Sequence, residues 1–137
     1  MIASFHMSLP CLSVNATKSF YEDTIGASLG RKTQTWVDVN LFGNQLTFIK
    51  AEKFIFNSPN YVFEGKILPS FHFGVIVDLI EWEQIYARLN EQGLELVRQT
   101  TFLEGKIGEH VSFFIKDPND YMLEFKSFKK SDSIFEK

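Results

Sequence analysis

The stretch Ser70–Val77 reads SFHFGVIV, and its first three residues have already occurred at Ser4–His6, in SFHMSLPC. Each copy opens an apolar run of strand-like composition with a histidine, and each is followed by a helical pattern. After the first comes Ala16–Ile25, with Asn15 as the expected cap, Phe20, Tyr21 and Ile25 near one face, and Gly26 as the stop. After the second comes Leu79–Gln92, whose Trp82, Ile85, Tyr86 and Leu89 share a face and which Gly93 ends. The two histidines are 66 residues apart, Tyr21 and Tyr86 are 65 apart, and Gly26 and Gly93 are 67 apart. Strand, helix and helix stop therefore recur at nearly one offset, which is how an internal repeat announces itself.

Working outward, three β-like pieces follow each helix. In the first half they lie around Leu29–Thr33, Trp36–Leu41 and Gln45–Lys50, with a tight turn at Phe42-Gly43-Asn44. In the second half they lie around Glu95–Phe102, Val111–Lys116 and Tyr121–Phe128, with Asp117-Pro118-Asn119-Asp120 turning between the last two. The expected fold is α+β: two βαβββ modules forming a curved-sheet cup. Module one covers about 3–50 and module two about 70–128, within one domain over 1–130. Residues 51–69 have no clean period and are expected as a linker or lid, and 131–137 as a polar tail.

Composition limits the function classes. At 137 residues the chain is sized for one domain with a substantial core. A net charge of -3 argues against a nucleic-acid partner, which calls for a basic face. The one cysteine, Cys11, excludes an internal disulfide and any cysteine-based metal motif. No apolar run reaches the roughly 18 residues of a membrane span, and the start MIASFHMS has no signal-peptide pattern. A cytoplasmic protein is the simplest expectation. Fifteen phenylalanines indicate aromatic packing on the sheet faces or an aromatic-lined pocket.

The repeat also nominates a site. His6 and His72 occupy equivalent points of the first strands. Aligning Gln45-Leu46-Thr47-Phe48 with Glu124-Phe125-Lys126-Ser127 makes Gln45 and Glu124 equivalent points of the last strands. If these four converge, two imidazoles, a carboxylate and an amide oxygen form a set suited to a divalent transition ion such as Fe, Ni, Zn or Mn. Strand alternation puts His6 with Ser8 and His72 with Gly74, small neighbours that leave room beside each imidazole. The phenylalanines before the histidines are expected to face the core. His110 has no partner in the first half and is read as structural or as a pocket-rim residue.

These residues resemble the vicinal oxygen chelate superfamily, which includes glyoxalase I, bleomycin-resistance proteins, fosfomycin-resistance enzymes and extradiol dioxygenases. The similarity runs from about residue 3 to 128. It rests on His6, Ser19-Phe20-Tyr21, Ile25-Gly26, Gly43-Asn44-Gln45-Leu46-Thr47 and His72-Phe73-Gly74. Most of all it rests on Asp117-Pro118-Asn119-Asp120-Tyr121-Met122-Leu123-Glu124-Phe125, which is similar to the signature D-P-x-G-x-x-x-E-[FLI]. The resemblance implies metal ligands at His6, Gln45, His72 and Glu124, with Glu124 also a catalytic base. It implies a small-molecule substrate with vicinal oxygens and a homodimer. The chain departs from glyoxalase I in lacking E-L-T-x-N-W-G around Gln45 and an arginine in the first strand. Asn44 and Ile49 stand where some related chains carry histidines. The expected function is a glyoxalase- or dioxygenase-like metalloenzyme. The alternatives are a protein that binds an aromatic molecule or drug without catalysis, and a partner-binding domain with a vestigial site.

Overall fold

In the computed structural model the described residues are 2–137, with 97–99 described by backbone alone. They form two compact units, one of residues up to 57 together with Asp117–Asp120, the other of Ser58–Lys116 and Tyr121–Lys137. Each contains a βαβββ module of the expected α+β fold, and neither sheet closes into a barrel.

In the first unit, β1 (His6–Cys11) leads through Ser13 into α1 (Val14–Ser19), which continues as a π-helical turn over Phe20–Ile25. The cap is Ser13, not Asn15: its hydroxyl accepts the Ala16 N–H at 3.2 Å, satisfying a donor that the first turn leaves unpaired. Gly26 ends the turn at φ 85°, as expected. Then come β2 (Ser28–Lys32), β3 (Trp36–Leu41) and β4 (Asn44–Lys50) in the sheet order β1-β4-β3-β2. β1 is an edge strand, the place where a strand tolerates Pro10. Leu9, Cys11, Val37, Val39, Leu46 and Phe48 are buried, and the Tyr21 ring from the helical segment packs 4.8 Å from Phe48. Cys11 is a free buried thiol whose ionisation burial pushes up.

The Asp117–Asp120 turn belongs to this first unit and is hydrogen-bonded to its helical segment and first loop. The Asp117 carboxylate accepts from Asn119 N–H at 2.8 Å and from the Tyr21 hydroxyl at 3.0 Å. The Asn119 amide donates to Thr17 Oγ1 at 3.1 Å, while its oxygen accepts from Leu12 N–H at 2.9 Å. Buried polar groups of this kind are tolerable only when paired. Asp120, at φ 68°, takes the left-handed conformation of the signature's glycine, which aspartate adopts more readily than most residues.

In the second unit, the segment expected as a loop contains a hairpin. β5 (Asn60–Phe63) and β6 (Lys66–Pro69) pair antiparallel around Glu64-Gly65, at φ 50° and 73°. Two successive positive φ values are the signature of the turn whose twist suits a two-residue hairpin. The strands escape periodicity because each is only four residues long. Next come β7 (Phe73–Ile76), α2 (Leu79–Glu91), β8 (Leu96–Phe102), β9 (His110–Lys116) and β10 (Met122–Phe128), ordered β7-β10-β9-β8. Asp78 caps α2 by accepting Glu81 N–H at 2.8 Å. α2 buries Trp82, Ile85 and Leu89. The Trp82 indole donates to the Phe125 carbonyl at 2.8 Å, and its ring meets Phe113 edge-on at 5.3 Å. The opposite face of this sheet is covered by the hairpin, whose Leu68 and Phe63 pack with Phe102, Phe114 and Met122. A 3-10 turn over Ser131–Phe135, with Ser133 buried, stands where a loose tail was expected.

Two smaller expectations change. Phe5 is 62% exposed, because it precedes β1 and joins the ladder only through its backbone. Phe71 does pack, against Phe73 and Tyr121. Gly74 is small for a different reason than room beside a histidine: a Cβ there would stand 1.7 Å from the Glu124 carbonyl oxygen.

Candidate functional site

The ladders decide which residues stand together. In the first unit β1 runs parallel to β4, with His6 opposite Gln45 and Ser8 opposite Thr47. In the second, β7 runs parallel to β10, with Gly74 opposite Glu124. Ser8 and Gly74 each follow their histidine by two residues, so, counted from the histidines, Thr47 stands on the rung that Glu124 occupies in the second unit, and Gln45 stands on His6's own rung. Relative to their histidines the two ladders differ in register by two residues, a difference that apolar patterning alone does not reveal.

His72 and Glu124 are brought together. His72 lies just before β7, and its Nε2 is 3.3 Å from Glu124 Oε2. Its Nδ1 is 3.0 Å from the Pro69 carbonyl oxygen, an atom that can only accept, so Nδ1 carries a proton. The ring also meets Phe114 edge-on at 5.6 Å. A backbone carbonyl, an aromatic edge and a carboxylate thus hold one imidazole orientation. Lys126, two residues beyond Glu124 and on the same face, places Nζ 3.4 Å from the same Oε2.

These contacts set the charges. The Glu124 hydrogen bond raises the His72 pKa against the opposing pull of burial. Burial pushes the Glu124 carboxyl up, but His72 and Lys126 together hold it below its ordinary value. The histidine's contribution to stability is complete below its ordinary 6.5 and is lost as pH rises through the raised folded value. The glutamate's is complete above its ordinary 4.5 and is lost as pH falls through the lowered one. The pair therefore stabilises the metal-free protein most between those two values. The difference in urea-unfolding free energy between the wild type and His72→Gln should be widest there and shrink above neutrality; a difference that grows with pH would contradict this arrangement.

His110 shares this face of the sheet at the start of β9. It stacks 5.3 Å from Phe102 and 5.1 Å from Phe128, and its Nδ1–H donates to the Gly108 carbonyl at 2.7 Å. Burial lowers its pKa, which keeps the ring neutral near pH 7. Between hairpin and sheet lies a cleft of about 310 Å³ lined by residues that include Lys66, Leu68, Thr100, Phe102 and Phe114.

In the first unit the face that carries His6 and Gln45 also holds a group that sequence reasoning missed. Asp38 is 5% exposed and accepts from Thr47 Oγ1 at 2.6 Å and from Arg31 Nε at 3.2 Å. Thr47 foremost, then Arg31, hold its carboxyl below the usual range against burial. The Arg31 guanidinium rests 5.5 Å from the Trp36 ring centre. In the sequence Asp38 reads as a solvated residue on the polar side of an alternating strand. Its burial comes from two neighbouring strands that no local pattern reveals. One signal was available: Thr47 alternates onto the same side as Gln45.

The donor chemistry can be tested against a divalent ion. Two ligands about 2.1 Å from one ion at a tetrahedral angle lie about 3.4 Å apart, close to the His72–Glu124 separation of 3.3 Å. The carbonyl bond on Nδ1 is the outer-shell support that metal-bound histidines ordinarily have. Within the first unit, His6 and Gln45 share a rung of the β1–β4 ladder. Among the described residues no cluster of three or more His, Cys, Asp or Glu side chains has metal-binding geometry. Within the second unit the donor types and the His72–Glu124 spacing fit two positions of an ion's shell, with Lys126 as the group that departs from a simple ligand set.

Comparison with known proteins places the chain. A sequence model of the Glyoxalase/Bleomycin resistance protein/Dioxygenase superfamily matches residues 4–125. Among curated proteins there is no significant match. Among solved structures, the chain is similar to a glyoxalase/bleomycin resistance protein/dioxygenase from Alicyclobacillus acidocaldarius, with a TM-score of 0.81 and 23% identity over 97% of this chain and 96% of that one. It is similar to the lactoylglutathione lyase of Agrobacterium tumefaciens, with a TM-score of 0.67 and 18% identity over 91% and 92% of the two chains. It is also similar to the fosfomycin resistance protein FosX of Listeria monocytogenes, with a TM-score of 0.68 and 14% identity over 97% and 98%. At such identities the structures speak for the fold, while the sequence match over nearly the whole chain carries the assignment: this protein belongs to the glyoxalase/bleomycin resistance protein/dioxygenase superfamily.

Proposed function

We propose that the protein is a divalent-metal-dependent enzyme of the glyoxalase or dioxygenase type, acting on a small molecule with adjacent oxygens. The observation that carries this reading is the His72–Glu124 pair, set 3.3 Å apart with the imidazole tautomer fixed by Pro69. His72 and Glu124 would hold the ion from the second unit, and His6 and Gln45 from the first. Bound there, a divalent ion would supply Lewis-acid polarisation of the substrate's oxygens. Glu124 is the general base of this proposal, a carboxylate ionised at neutral pH. Phe114, edge-on to His72 at 5.6 Å, would cover one side of the pair. The proposal includes a homodimer and a cytoplasmic location; among the described residues no helix is long and apolar enough to cross a membrane.

Binding without catalysis would need aromatic residues of 51–69 for a ligand, and Phe63 of that segment packs against Phe102 instead.

Native mass spectrometry of protein purified without chelator, then supplied in turn with Fe, Ni, Zn and Mn, tests the proposal. The expected result is one ion per chain, lost in His72→Ala, in a two-chain assembly. No ion under any condition, or unchanged uptake by His72→Ala, overturns the metal reading; single chains overturn the dimer.

A further inference from the structure

Lys126 is the group in this site that the metal reading leaves unexplained. A lysine on a sheet surface ordinarily extends its ammonium into water. Here the side chain is only 24% exposed and folds back on its own strand, with Nζ 3.4 Å from Glu124 Oε2. That oxygen is also the one facing His72 Nε2. The neighbours of Lys126 on the face are its rung partners Ser112 and Ile76, and the Phe128 ring at 6.0 Å. Neither rung partner carries a charge, and Glu124 is the carboxylate that Nζ engages. Within the two same-face steps that hold the pair, this sheet therefore contains its own cation.

We propose that Lys126 is a resident counter-ion of Glu124 that competes with a divalent ion for the carboxylate. The inference rests on the metal reading above. A buried carboxylate without a partner is costly, and metal-free proteins with such a ligand usually suffer for it. The ammonium removes that penalty when no ion is bound, and His72 adds to the effect. When an ion takes Oε2, two positive charges meet at one oxygen, and the lysine must swing away. Metal uptake is then weaker and more readily reversed than the ligands alone would make it, and the metal-free protein is a stable, folded state.

Calorimetric titration of the full chain with Zn²⁺ and Ni²⁺ tests this in the wild type, Lys126→Gln and Lys126→Arg, with circular dichroism checking that each is folded. Lys126→Gln should bind at least tenfold more tightly, and Lys126→Arg, which keeps the charge, should stay within about threefold of the wild type. Without metal, Lys126→Gln should melt at a lower temperature than the wild type and regain the difference when the ion is added. Tight binding by the wild type with no gain in Lys126→Gln overturns the competition while leaving the metal reading intact. Binding by Lys126→Gln alone supports both. Absence of binding in all three chains overturns both.

Discussion

Replacing Glu124 by alanine should lower divalent-ion affinity by about 100-fold or more. Loss of an outer-shell partner alone costs 10- to 100-fold, and Glu124 is the carboxylate of the proposed set. Glu124→Gln should lose nearly as much, because a neutral amide keeps the shape and one weak donor but not the charge. The same substitution leaves a signature that needs no metal. Glu124 is the first cause of the raised His72 pKa, so in the metal-free variant the His72 imidazole should titrate at a lower pH, visible in its ring proton resonances. Glu83→Ala, on the exposed flank of α2, should change neither quantity. Unaltered affinity in Glu124→Ala with His72 titrating as in the wild type would remove Glu124 from the site.

Gly74→Ala should be the most damaging small substitution on this face. A Cβ there would meet the Glu124 carbonyl oxygen at 1.7 Å, its carbonyl carbon at 2.6 Å and its nitrogen at 2.8 Å. These are backbone atoms of the paired strand, so no rotamer can yield, and β7 must move off β10. Overpacking within a fixed core costs 1–3 kcal/mol, and a backbone clash of this depth belongs at or above the upper end, about 3 kcal/mol. Ion affinity should fall with stability, because β7 follows directly from His72 and β10 carries Glu124. Chemical denaturation of Gly74→Ala and of Ser8→Ala provides the contrast. Ser8 fills the matching rung opposite Thr47 with an ordinary side chain, and its loss should cost little. A Gly74→Ala protein as stable as the wild type would show that β7 can yield without cost.

Much of the fold could be read from the chain. The repeated Ser-Phe-His, the helix stops at Gly26 and Gly93, and the strand alternation on either side are local signals, and local signals survive in a linear text. The hairpin at Asn60–Pro69 escaped because two four-residue strands leave no period to detect; its one clue was the Glu64-Gly65 turn. Ser13 rather than Asn15 caps α1, because either residue type can serve and only the backbone geometry selects between them.

The candidate site was legible as a list of residues, not as an arrangement. By itself the sequence nominated His6 and His72 as counterparts and Gln45 and Glu124 as their partners on the last strands, and it marked Asp117–Asp120 as a turn. Only the tertiary structure decided the register, which pairs Gly74 with Glu124 and moves Gln45 to the rung of His6. It also decided that the Asp117–Asp120 turn is packed against Tyr21 and Thr17, that Asp38 is buried under Arg31 and Thr47, and that Lys126 folds onto Glu124. The physical reasons lie beyond the local pattern. A two-residue slip along a strand preserves every hydrophobic alternation, so composition cannot see it. Which polar side chains are buried, and which way a lysine turns on its own strand, depends on the neighbouring strands that cover the face.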